Sequence, residues 1–97
     1  MIERHVTFNV IPGKEKEFET LFKEAYSIAM SKRPGFVSVT LLKEHEKEAV
    51  YQMAIRFQSL ETAAAWRDSP DHKALSPRIK ALYSSSVVQV YDIIGQK

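Results

Sequence analysis

The stretch AAAWRDSPDH, residues 63 to 72, sets the chain's only tryptophan six positions before one of its three histidines. An imidazole titrates near neutrality, so His72 is a group that can take up or release a proton under ordinary conditions. An indole is a broad, flat, apolar surface with a single donor, suited to lining the wall of a pocket. Each residue also has a plainer reading. A lone tryptophan in a small domain packs in the core, and a polar residue in a helix's first turn is hydrogen-bonded or faces solvent.

Other chemistry is excluded by what is missing or badly spaced. With no cysteine there is no disulfide framework, thiolate metal site or thiol nucleophile. His5, His45 and His72 fall on separate elements without a His-x-x-x-His spacing, so no metal is expected. His45 lies in the charged EHEKE segment and reads as solvated. His5 and Asn9 share a strand phase four residues apart, about 13 Å along a strand, too far to work as one pair; ordinary alternation accounts for both. Fourteen basic and twelve acidic side chains give a net charge of +2. They are interspersed, as in KEKEFE, and the densest basic patch is Lys32-Arg33, which argues against nucleic acid. The start, MIERHVTFNV, alternates and carries charge where a signal peptide would be apolar, and no segment approaches a membrane span. The chain therefore reads as cytoplasmic, with no membrane partner.

The elements that must position Trp66 and His72 follow from periodicity. In residues 2 to 10, Ile2, Arg4, Val6, Phe8 and Val10 alternate with Glu3, His5, Thr7 and Asn9, the pattern of a half-buried strand ended by Pro12-Gly13. From Lys14 to Arg33 the apolar positions Phe18, Leu21, Phe22, Ala25, Ile28 and Ala29 form a helical stripe, closed by Pro34-Gly35. Residues 36 to 43 and 49 to 57 are rich in strand formers, the second alternating through Tyr51, Met53, Ile55 and Phe57. Ser59 reads as the N-cap of a helix from Leu60 to about Asp68. Ser69-Pro70 and Ser76-Pro77 each read as an N-cap with proline at the first helical position, which predicts helical pieces set at angles. Residues 84 to 94 form a last β-rich run.

The order βαββαβ in 97 residues predicts one domain, an α+β ferredoxin-like sandwich with an antiparallel four-stranded sheet and the helices on one face. The open face would carry Glu3, His5, Thr7 and Asn9 with Gln52, Ala54 and Arg56. In strand four, Val88, Val90 and Ile94 compete with Val87, Tyr91 and Ile93 for the inward phase. The mixed open face predicts a homodimer with the two sheets facing each other.

A first strand ending in Pro-Gly, the amphipathic Lys14 to Arg33 helix, Pro34-Gly35-Phe36 opening strand two, and SLETAAAWRDSPDHKAL at 59 to 75 together resemble the antibiotic biosynthesis monooxygenase (ABM) family of dimeric α+β barrels. The resemblance spans nearly all of the chain, and tryptophan, Ser-Pro and His72 are its most specific part. It implies a homodimer of ferredoxin-like subunits with a cavity between sheet and helices in each. Its members include cofactor-independent oxygenases that act on polycyclic phenols with O2, haem-degrading enzymes, and isomerase-like proteins. The haem-degrading members carry an iron-ligating histidine ten residues after the tryptophan, where this chain has Ser76.

The expectation is a monooxygenase, without cofactor or metal, acting on an aromatic or quinone-like molecule and O2. In such chemistry the protein supplies a base and a water-poor pocket. His72 is the candidate proton acceptor and Trp66 the residue that shapes the pocket, with Tyr26, Tyr51, His5 and Asn9 as further substrate-binding candidates. His72 and Trp66 are required to open onto one cavity. A non-catalytic dimeric binding protein of the same fold is the alternative, ahead of haem degradation or a stress-responsive barrel protein.

Overall fold

A computed structural model describes residues 1 to 97. The strands are β1 (Ile2–Val10), β2 (Phe36–Lys43), β3 (Val50–Phe57) and β4 (Tyr83–Asp92). Between β1 and β2 lie α1 (Glu15–Leu21), a π-helical turn (Phe22–Tyr26) and α2 (Ser27–Ser31); between β3 and β4 lie α3 (Leu60–Arg67) and α4 (Pro70–Lys80). All strand pairs are antiparallel and the sheet order is β2-β3-β1-β4. This is the ferredoxin-like α+β sandwich that the sequence predicts.

The two phases of β1 separate as alternation requires. Ile2, Val6, Phe8 and Val10 are buried under the helices with Tyr51, Met53, Ile55 and Phe57 of β3. Phe18 reaches down from α1, its ring centroid 5.2 Å from Phe8 and 5.2 Å from Tyr51. On the open face Glu3 pairs with Arg56, His5 with Ala54 and Thr7 with Gln52. The register also settles β4, because Val6 pairs with Val88 and Arg4 with Val90. Val88 and Val90 therefore take the helix side, and Val87 and Tyr91 the open side. The helices stop short of this edge strand, which leaves Val87, Val88, Val90 and Tyr91 exposed on both faces.

Two local expectations need correction. The helix after β1 is not uniformly α-helical: the turn at Phe22–Tyr26 holds one residue more than an α-turn, which retards the phase of everything after it. Tyr26 and Met30 consequently point inward, while Ile28, expected in the stripe, is 46% exposed. Ser76-Pro77 does not start a helix either, since Pro77 sits inside α4. Its missing N–H removes one backbone bond, but buried Leu75 and Ile79 on either side hold both halves of the helix against the core.

The turn into β2 is locked from the side. Gly35 has φ +82°, and a Cβ there would lie 2.5 Å from the side chain of Thr62. Thr62 is itself held in a capping box with Ser59 at the start of α3. Glycine is thus required twice over, by backbone conformation and by space.

Candidate functional site

α3 ends and α4 begins around one buried hydroxyl. Ser69, 3% exposed, caps α4 by accepting a hydrogen bond from the His72 N–H at 3.2 Å. The same hydroxyl donates to the Trp66 carbonyl at 2.6 Å. Pro70 at the first helical position cannot extend α3 and fits the start of α4. One side chain therefore fixes the spacing between the turn that carries Trp66 and the turn that carries His72.

The consequence is a cluster of three rings. Trp66 meets His72 edge to face, with centroids 5.1 Å apart at 86°, and meets Tyr26 in the same way at 5.5 Å and 86°. The Tyr26 and His72 rings lie 6.1 Å apart. Tyr26 reaches this position because it closes the π-helical turn.

His72 and Tyr26 line a cavity of about 220 Å³ between β1, β3 and β4 below and α3 and α4 above. Val6, Phe8, Met53 and Ile55 form its apolar floor. Trp66 does not share the wall. It is 1% exposed and stands behind the other two rings, so the site expected from the sequence, with Trp66 and His72 on one cavity wall, is not formed; His72 lines the cavity without Trp66. Two larger depressions, about 590 Å³ beside α1 and the end of α4 and about 460 Å³ at the far end of the β2–β3 pair, bring no histidine to their walls.

Burial is the main cause that holds His72 below the usual histidine pKa. Arg4, Arg67 and Lys80 add to it, and Asp68 opposes them. The ring is therefore neutral at pH 7 and has a free nitrogen able to accept a proton. Burial likewise pushes Tyr26 up to about 12, although Arg4 pulls the other way. Its phenol stays protonated and serves as a donor.

The remaining candidates lie elsewhere. His5 and Asn9 are on the opposite side of the sheet: the His5 imidazole contacts Glu3 and the Tyr91 ring at 4.9 Å, and the Asn9 amide donates to Ser85 at 2.9 Å. Tyr51 is a core residue whose hydroxyl donates to Glu19, and it does not line the cavity. Burial, then the Glu19 hydrogen bond, raises its pKa.

Three charged residues at the cavity escaped sequence reasoning, Arg4, Arg67 and Lys80. Arg4 had a visible signal, since it is the one charged residue in the inward phase of β1. Arg67, at the end of α3, had none.

Comparison with known proteins agrees with this architecture. A family model described as antibiotic biosynthesis monooxygenase matches residues 1–78. Among solved structures, SnoaB, a cofactor-independent oxygenase from Streptomyces nogalater, superposes with a TM-score of 0.89 at 22% identity, covering 98% of this chain and 94% of that one. A conserved protein from Methanosarcina mazei has a TM-score of 0.83 at 20% identity, over 93% and 89% of the two chains. At such identities the structural likeness speaks for the fold. No curated protein sequence matches the chain.

Proposed function

The chain belongs to the antibiotic biosynthesis monooxygenase family, and from that membership we propose that it is a monooxygenase acting with O2 on a small phenolic or quinol-like ring. The observation that carries the proposal is His72. It is a neutral imidazole on the wall of a cavity with an apolar floor, beside a phenol that stays protonated and can donate. His72 takes the proton of the bound phenol, and the resulting phenolate is electron-rich enough to reduce O2. In the net reaction one oxygen atom stays on the ring carbon as a carbonyl, and the other leaves as water with two substrate hydrogens. Tyr26 donates a hydrogen bond to the substrate oxygen, and Trp66 holds both rings in place from behind. The description of SnoaB as a cofactor-independent oxygenase supports this reading, as does the match to the family over most of the chain.

The reading includes a cytoplasmic homodimer with the open sheet faces opposed. That face mixes Ala54 and Val50 with polar neighbours and is bordered by the exposed β4.

An oxygen electrode tests the proposal with hydroquinone, 1,4-naphthoquinol and anthrone as substrates. Uptake is expected with at least one of them, falling about 100-fold or more in His72→Ala, the usual effect of losing a general base. Absence of uptake across the panel favours a non-catalytic binding protein. Uptake that is unchanged in His72→Ala removes His72 as the base.

A further inference from the structure

Arg4 occupies a position where the fold asks for an apolar residue. Its neighbours in phase are Ile2 and Val6, and its partners on the adjoining strands are Ile55 and Val90. The guanidinium is half-buried and lines the cavity together with that of Arg67, and burial followed by the charge of Arg67 draws its pKa down. Lys80 lines the same cavity, and no carboxylate does. The six ion pairs of the chain use other cations. The contrast with Arg56 is direct, because on the open face that guanidinium is paired with Glu3.

Removing a cation partly from water and setting it against a second one is unfavourable unless an anion joins them. A planar guanidinium is matched to a carboxylate, which it can bind with two parallel hydrogen bonds. The size of the space narrows the ligand further. At about 220 Å³ it falls below the roughly 300–1,000 Å³ of drug-sized sites, which suits one ring or two rather than a polycycle.

We infer that the cavity takes a one- or two-ring aromatic carboxylate, with the carboxylate held by Arg4 and Arg67 and the ring directed toward Tyr26 and His72. This rests on the oxygenase reading for what happens to the ring, but not for what binds. It also gives the cations a part in the chemistry. The charged groups acting on His72 are Arg4 from β1, Arg67 and Asp68 from the end of α3, and Lys80 from its own helix. A bound carboxylate offsets the cations, so His72 becomes a stronger base when substrate is in place.

The test compares 2,5-dihydroxybenzoate with hydroquinone by calorimetry and by NMR of the His72 imidazole. The carboxylate is expected to bind about tenfold tighter or better, the scale of a charge-assisted hydrogen bond. The preference is expected to disappear in Arg4→Gln and to survive in part in Arg4→Lys, which also controls for folding. The His72 resonance should titrate at higher pH with 2,5-dihydroxybenzoate bound. Equal affinities, or a preference untouched by Arg4→Gln, overturn the carboxylate assignment, and Arg4 then merely extends its head group to water. Oxygen uptake is scored separately. A carboxylate preference without uptake sinks the oxygenase reading and leaves the anion site, and uptake without preference does the reverse.

Discussion

A neutral imidazole serves as a base only above its own pKa, and His72 keeps that value low through burial and three nearby cations. The sign gives a pH dependence. The acid limb of kcat/KM is expected below the usual histidine value of about 6.5, and it should move upward in Arg4→Gln, where one of those cations is lost. A limb at or above the usual value in the parent protein would speak against His72. Linkage runs the same way: the unfolded chain takes the proton first as pH falls, so the contribution of His72 to stability is present above about 6.5 and lost as pH drops through the folded pKa. His72 was legible because Ser69-Pro70 announces a helix start. Arg4 was harder to see, because alternation assigns a residue to a face without saying what the face encloses.

Among the elements, the junction of α3 and α4 bears most on the site. Ser69→Ala removes the cap on His72 N–H and leaves the buried Trp66 carbonyl without its side-chain donor. The expected loss is about 1–2 kcal/mol in denaturant unfolding, with a fall in turnover larger than that loss of fold explains, because the His72 ring loses its fixed spacing from Trp66. Wild-type stability in the variant would show that the hydroxyl is dispensable. The break itself could be read from Ser69-Pro70. The proline at 77 carried the same signature and meant something different, since a helix continues through proline when buried residues on both sides anchor it. The turn at Phe22–Tyr26 left no trace in composition, and so the inward direction of Tyr26 and the outward one of Ile28 could not be foreseen from a regular 3.6-residue period.

At the scale of the molecule, element order and the antiparallel sheet followed from periodicity and turn residues. The phase of β4 did not, because an edge strand exposed on both faces carries no alternation to read. Exposed apolar edge strands are a hazard unless covered. Sedimentation at micromolar concentration is expected to give twice the mass of one chain, and a monomer there would remove the paired-sheet arrangement. Tyr83, Ser86 and Val88 of β4 also form one side of the cavity, so the strand that pairing would cover is a strand that a ligand touches. Reciprocity then applies: whatever factor a bound ligand adds to the association of two subunits, association adds to the affinity for that ligand. In this protein, a ligand that strengthens pairing would be held more tightly by the pair than by the single subunit.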